Sequence, residues 1–359
     1  MKKLKVVITG GHHNSALVVA RALEAKGHTV YWFGHRHASH LDSHDSAEYL
    51  EVKASGFPFY DLPAGKLGSP LTLRDMLNFP LGFIRAAQLL SRLRPDSILS
   101  FGGYLGFSTC LVGTCYRLPI FLHEQTIVPG KSNRFISSLA RRIYLTWESS
   151  LKYYPASKSL VTGLPLRESF KAPNKEQYFS RPLPTLLVLG GKQGSHAINS
   201  LIFSHLPEIL SHYNLIHQTG TSSYTGDYDK ALALKEALPP DLSSSYLPHG
   251  YIGEKEIARM LLSSDLYIGR SGAHITYELA VLGKKAILIP FLFTHGKEQL
   301  AHARLLEKEI GAIILPQSEL SYPRLIREVK HLSDLASPPP LKLPLTATDS
   351  LVTDLMENL

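Results

Sequence analysis

The run Arg270-Ser271-Gly272-Ala273-His274-Ile275-Thr276-Tyr277-Glu278, followed by Gly283, Pro290 and Glu298-Gln299, has the residue types and spacing to hold a diphosphate and a sugar. Leu266 to Gly269, just before it, is short and apolar like a buried strand, and the residues after it read as a helix closed by Gly283. A strand that turns through Ser-Gly into a helix aims free backbone N–H groups beyond the sheet edge, where a diphosphate could sit. Glu278, about two turns into that helix, could accept both hydrogen bonds of a ribose cis-diol, and Glu298 and Gln299 could do the same for sugar hydroxyls. An ordinary strand–turn–helix of an α/β sheet would also show Ser-Gly here. The other motifs of the chain weigh against that plain reading.

Gly10-Gly11-His12-His13-Asn14-Ser15 lacks the Gly-x-Gly-x-x-Gly spacing of a nicotinamide dinucleotide fold. It forms a tight turn carrying His12 to the top of a sheet, where an imidazole could take a proton near neutral pH. A structural histidine in such a turn is the competing reading. Gly190-Gly191-Lys192-Gln193-Gly194-Ser195 repeats the theme without the order of a Walker A loop. Amides, a helix dipole and the Lys192 ammonium could together hold a leaving diphosphate without a metal. Two further glycine turns, Phe101-Gly102-Gly103-Tyr104 and His123-Glu124-Gln125-Thr126 through Gly130 to Asn133, concentrate polar side chains in the same way.

Apolar strands alternating with amphipathic helices must position these loops, the pattern of parallel βα units. In the first half the strands are expected at Lys5–Thr9, Thr29–Phe33, Ser97–Phe101, Ile120–His123, Ile143–Thr146 and Leu160–Thr162. In the second they are expected at Thr185–Leu189, Leu215–Gln218, Tyr246–Leu247, Leu266–Ile268, Ala286–Ile289 and Ala312–Leu315. The charged, proline-containing run from Lys171 to Pro184 reads as a linker. The expected division is 1–168, a linker at 169–183, 184–335, and a tail at 336–359. Two doubly wound α/β domains would then face each other across a cleft. In the tail, Ser337-Pro338-Pro339-Pro340 marks an extended connector, and Ser350 could cap a short helix with Leu351, Leu355, Met356 and Leu359 on one face.

With 359 residues, 44% hydrophobic and 19% charged, the chain suits two soluble domains. It contains no uncharged apolar run of about 18 residues, so no transmembrane span is expected. Lys2-Lys3-Leu4-Lys5 imitates the start of a signal peptide, but the apolar run stops at Gly10-Gly11, and a cytoplasmic address is expected. The two cysteines, Cys110 and Cys115, have the spacing of neither a redox pair nor a zinc site. The net charge of +8 is uneven: 19 Lys and Arg face 10 Asp and Glu through Pro165, and 19 face 20 thereafter. The basic first half suits an anionic surface or ligand. No nucleic-acid motif accompanies it, so nucleic acid is not an expected partner.

Taken together and in order, the motifs resemble the bacterial glycosyltransferases that add N-acetylglucosamine to undecaprenyl-diphospho-muramyl-pentapeptide in peptidoglycan synthesis, the MurG family. The resemblance spans most of residues 5 to 315. It rests on Thr9-Gly-Gly-His12, Gly102-Gly-Tyr104, His123-Glu-Gln125 with Asn133, and Gly163-x-Pro-x-Arg167. It continues through Gly190-Gly-x-Gln-Gly194, His217-Gln-x-Gly220, Arg270-Ser-Gly-Ala273 with Glu278, and Gln299. It implies a GT-B fold and metal-independent, cofactor-free transfer with inversion, from UDP-N-acetylglucosamine to a polyprenyl-diphosphate-linked acceptor. The first domain would face acceptor and membrane, and the second would bind the UDP-sugar.

By the same resemblance, Arg167 and Ile252 flank the uracil, and Gly191, Lys192, Gln193 and Gly194 lie near the phosphates. Arg270, Ser271, Gly272, Ala273, His274, Ile275, Thr276 and Glu278 cover diphosphate and ribose, with Glu298 and Gln299 on the hexose. Thr9, Gly10, Gly11, Tyr104, Glu124, Thr126 and Asn133 line the acceptor side, and His12 is the implied base. The chain departs from the family in several places. Its first glycine loop is shorter than Gly-Gly-Thr-Gly-Gly-His, and Lys192 replaces a small hydroxyl residue. Thr126 and Leu164 replace asparagines, Ile275 a threonine, and His302 the asparagine after Gln299.

A lipid acceptor calls for a membrane-binding surface on the cytoplasmic face. Leu71 to Leu93, with Phe79, Leu81, Phe83 and Ile84 among Arg74, Arg85, Arg92 and Arg94, could supply it as a loop and a helix divided at Pro80, and an ordinary core-facing helix is the alternative. His35, His37, His40 and His44, with Asp42 and Asp45, read as a solvated loop, although His40 and His44 have the spacing to share a metal on a helix. Other readings of the whole chain are transfer to a different lipid acceptor, a non-catalytic UDP-sugar-binding scaffold, or an epimerase with Glu124 as its first-half carboxylate.

Overall fold

A computed structural model describes residues 3–37, 45–63, 73–170, 174–191, 193–292 and 297–359, excepting the side chains of 47 and 73–79. The chain divides into two compact units, residues 1–166 together with 344–359, and residues 167–343.

In the first unit, strands form where the sequence is apolar for a few residues at a time. They are β1 (Lys5–Thr9), β2 (Thr29–Gly34), β3 (Phe59–Asp61), β4 (Ser97–Ser100), β5 (Ile120–Glu124), β6 (Arg142–Leu145) and β7 (Ser159–Val161). Between them lie α1 (His13–Ala25), α2 (Ala47–Ala54), α3 (Leu73–Leu93), α4 (Gly103–Cys115) and α5 (Lys131–Leu139). The strands pair in parallel in the order β3-β2-β1-β4-β5-β6-β7. Helices cover both faces, so successive residues of one strand enter different cores. Val6 and Ile8 pack with Leu17, Leu23 and Trp32, whereas Val7 packs with Phe33, Leu89 and Ile98.

The second unit repeats the plan with β8 (Thr185–Leu189), β9 (Asn214–Gln218), β10 (Tyr246–His249), β11 (Leu266–Gly269), β12 (Ala286–Leu288) and β13 (Ile313–Ile314). Its helices are α6 (His196–Ser204), α7 (Leu206–His212), α8 (Asp227–Ala237), α9 (Pro240–Ser243), α10 (Ile257–Ser263), α11 (Ala273–Leu282), α12 (Glu298–Ile310) and α13 (Tyr322–Asp334). Strand order is β10-β9-β8-β11-β12-β13. Both sheets therefore reverse direction of growth beside their first strand, at β1/β4 and at β8/β11. Parallel α/β sheets open a crevice at such a switch point, at the carboxyl ends of the strands.

Three expectations need correction. Leu73–Leu93 is one helix with Pro80 inside it, not a loop followed by a helix. Pro80 is exposed, and a proline inside a helix forgoes one backbone hydrogen bond. The last helix, α14 (Ala347–Glu357), starts at Thr346 and not at Ser350, which lies inside it. Buried Ala347 explains the earlier start, and Leu351, Val352 and Leu355 complete the core beside α1. The edge strand β3 is an addition to the expected set.

The segment 174–183 is tied to the second unit. Glu176 N–H donates to Ser263 Oγ at 2.8 Å, and Arg181 Nη1 donates to the Leu210 carbonyl at 3.0 Å. The connector does likewise through Leu341 N–H, 2.9 Å from the Ala280 carbonyl.

Candidate active site

In the first unit the loops after β1 and β4 interlock at the switch point. Thr9 pairs with Ser100, so both strands end at the same level. Gly10 adopts φ +129°, and a Cβ there would lie 2.6 Å from the Phe101 carbonyl carbon, so only glycine admits the approach. This closeness sets His12, the N-cap of α1, with Nδ1 3.2 Å from the Phe101 carbonyl oxygen. A carbonyl can only accept, so Nδ1 carries the proton and Nε2 keeps the lone pair. His123, beneath this loop, is wholly buried, and burial pushes its imidazole down to about 3. It is therefore neutral.

The polar residues expected on the acceptor side fall into two kinds. Tyr104, in the first turn of α4, is half-buried with its ring edge-on to His35 at 6.2 Å. Thr9, Glu124, Thr126 and Asn133 are buried and build the loops. Glu124 Oε1 accepts from Thr126 N–H at 3.0 Å and from its hydroxyl at 2.7 Å. Oε2 accepts from Asn133 Nδ2 at 2.8 Å and from the Tyr154 hydroxyl at 2.7 Å. Four donors on one carboxylate make Glu124 an anchor, which removes the ground for the epimerase reading that gave it acid/base duty. Burial, with Glu124 alongside, pushes the Tyr154 hydroxyl up, so that proton stays on Tyr154.

In the second unit the loops after β8, β9 and β11 meet in the same manner. Gly194 takes φ +79°, and a Cβ there would collide with the Thr219 carbonyl oxygen. Gln218 stitches the turns together, a role the sequence motif did not disclose. Its Nε2 donates to the Gly191 carbonyl at 2.9 Å, and its Oε1 accepts from Ile252 N–H at 2.9 Å. Gln193 is exposed on this turn, and Lys192 lies outside the described residues.

Beyond β11 the chain turns at Gly272, the N-cap of α11, and Gly272 to Ile275 stay partly open to solvent. The first amides of a helix have no partner within it, so this turn presents N–H groups and the positive end of the dipole. The neighbouring polar side chains are engaged elsewhere. Ser271 Oγ donates to the Gln299 carbonyl at 2.7 Å, and Thr276 Oγ1 to the Gly272 carbonyl at 2.8 Å. Arg270 bonds Ile289 O, Ser195 Oγ and Gln317 Oε1, with Phe291 under its guanidinium at 5.4 Å. Arg270, Ser271 and Thr276, expected on the ligand, thus brace the loop, and peptide amides are what it offers to an anion.

Glu278 is different. Its carboxylate is fully buried, with Arg167 Nε 3.3 Å from Oε1 and no well-aligned hydrogen bond to either oxygen among the described residues. Burial pushes this carboxyl up, against the pull of the Arg167 charge. At 1.5 Å per residue it lies about 7.5 Å along α11 from the amide turn, a separation suited to a ribose beside a diphosphate. Glu298 and Gln299 open α12, and Gln299 Oε1 accepts from Phe291 N–H at 2.9 Å. His40 and His44, with the spacing to share a metal, lie outside the described residues, as does Asp42.

Two switch points, one with an oriented imidazole and one with an amide turn and an unsatisfied buried carboxylate, mark a two-domain α/β architecture. Residues 6–145 match the glycosyltransferase family 28 N-terminal domain, and residues 185–340 match the glycosyltransferase family 28 C-terminal domain. The chain belongs to glycosyltransferase family 28 and is a glycosyltransferase.

Its curated relatives include the UDP-N-acetylglucosamine–N-acetylmuramyl-(pentapeptide) pyrophosphoryl-undecaprenol N-acetylglucosamine transferase of Treponema denticola, 30% identical over 340 residues, covering 90% of this chain and 86% of that protein. The Bacillus cereus transferase 2 of the same name is 29% identical over 342 residues, covering 92% and 91%. Among solved structures, Acinetobacter baumannii MurG matches with a TM-score of 0.70 at 23% identity over the whole of both chains. The fold is GT-B.

Proposed function

We propose that this enzyme transfers N-acetylglucosamine from UDP-N-acetylglucosamine to undecaprenyl-diphospho-N-acetylmuramoyl-pentapeptide, with inversion at the anomeric carbon. The observation that carries the donor half is Glu278, a buried carboxylate on α11 lacking well-aligned donors, set along the helix from a turn of open amides. Two ribose hydroxyls would supply those donors, and the diphosphate would lie on the amides at the helix start. The names of the relatives supply the sugar and the acceptor.

In this reading His12 Nε2 removes the proton from the acceptor hydroxyl as that oxygen attacks the anomeric carbon from the face opposite the diphosphate. The bond to the diphosphate oxygen breaks, and the charge it gains rests on the amides and dipole of α11. Gln299, whose Oε1 is engaged by Phe291, would donate through Nε2 to a hexose hydroxyl.

Among the described residues no helix is long and apolar enough to cross a membrane. We place the enzyme on the inner face of the membrane through α3 and α5, where Leu81, Ile84 and Phe135 are 48%, 54% and 43% exposed. Arg85 and Arg92 on α3 would meet anionic headgroups.

The deciding experiment measures transfer of labelled N-acetylglucosamine to the muramyl lipid beside a diacylglycerol and a dolichyl-diphosphate sugar, with and without a chelator. Transfer to the muramyl lipid that survives chelation is expected. Transfer only to another lipid, or UDP binding without turnover, would replace this reading.

A further inference from the structure

The donor cradle contains a histidine that no role above accounts for. His302, on α12, is completely buried, and its Nδ1 lies 3.2 Å from the Ser271 carbonyl oxygen. A carbonyl only accepts, so Nδ1 carries the proton and donates it. In a trans peptide the C=O and the following N–H point in opposite directions. A Ser271 carbonyl drawn toward α12 therefore turns the Gly272 amide away from α12. Among the described residues no backbone carbonyl accepts that amide. A second bond ties the same residue to α12, Ser271 Oγ on the Gln299 carbonyl at 2.7 Å, and Gln299 Oε1 receives Phe291 N–H.

We infer that His302 is a positioning residue for the nucleoside diphosphate: its Nδ1–H fixes the Ser271–Gly272 peptide plane so that the Gly272 amide joins the first amides of α11 as an anion donor. The inference rests on the donor reading above. Asparagine Nδ2 and histidine Nδ1 stand the same number of bonds from the backbone, so either delivers an N–H to the same carbonyl.

The test compares UDP and uridine binding to the full-length enzyme, to His302→Leu and to His302→Asn, together with the donor and acceptor KM of each. Loss of the buried donor in His302→Leu is expected to weaken UDP about tenfold while uridine binding holds, so the UDP-to-uridine affinity ratio falls. The donor KM should rise and the acceptor KM should not. His302→Asn should stay within about threefold of the parent, since one neutral hydrogen bond replaces another. General damage to the fold would instead weaken UDP and uridine alike. An unchanged affinity ratio in His302→Leu, a parallel loss of both ligands, or equal loss in His302→Asn would overturn the inference. A parent enzyme that fails to bind UDP would overturn the donor reading, and this inference with it.

Discussion

Arg167 Nε stands 3.3 Å from Oε1 of Glu278, an ion pair whose carboxylate is entirely removed from water. Burial pushes that carboxyl above the usual glutamate range, so the folded protein holds a proton that the unfolded chain releases earlier. Stability should therefore decline as pH rises from the ordinary carboxylate range through the folded-state value, and Glu278→Gln should flatten that slope in thermal unfolding. The same substitution exchanges one oxygen of the proposed ribose acceptor for an NH2 donor. The donor KM is expected to rise about tenfold or more, as for the loss of hydrogen bonds to a charged group. Donor affinity that is untouched would detach Glu278 from the ribose.

His12 Nδ1 is committed to the Phe101 carbonyl, so Nε2 is the nitrogen that would serve as the proposed base. His12→Ala should lower kcat by about 10²–10⁴-fold, the usual contribution of a positioned general base, with UDP binding little changed. Calorimetry beside single-turnover kinetics separates the two effects. Turnover at the parent rate would remove His12 from the chemistry.

Asp354, on the last helix, accepts from Arg142 Nε and from the Tyr144 hydroxyl, each at 3.0 Å. Burial alone would raise its carboxyl, but the bonds from Arg142 and Tyr144 hold it below the usual range. The clasp therefore contributes fully above the unfolded carboxylate range and is lost as pH falls through the folded value. Asp354→Asn should cost about 1–3 kcal/mol at neutral pH, seen as a lower Tm, and progressively less in acid. A constant difference across pH would contradict this.

The proposed membrane attachment offers a separate check. Phe83 already packs edge-on against Phe107 at 6.2 Å, so Leu81 and Ile84 are the better probes. Leu81→Ser with Ile84→Ser should reduce co-sedimentation with anionic vesicles several-fold, each buried side chain being worth about 1.5–3 kcal/mol at most, while the fold holds. Unchanged binding would place the contact elsewhere.

Much of this architecture was legible because parallel strands covered on both faces read as unbroken apolar runs. β8 is buried at every one of its five residues. β3 was missed because three residues at a sheet edge are too few to show a period. Pro80 misled because a proline costs a helix one bond without obliging it to stop. In the site, the glycine turns and Glu278 were visible as types and spacings. The engagement of Arg270 with Ser195, 75 residues away, was not, and neither was the bridging of Gly191 and Ile252 by Gln218. Local spacing specifies which groups reach a loop, whereas distant chain decides which of them remain available.

The assignment of residues 344–359 to the first unit has a consequence for synthesis. Leu351, Val352 and Leu355 fill a core whose other walls leave the ribosome long before them. At about 5–20 residues per second, the unit that starts first must wait for all of 167–343 to be made with a strip of α1 still bare. Its order of birth and its order of completion are opposite, which makes the nascent chain, more than the finished enzyme, the state that chaperones would need to shield.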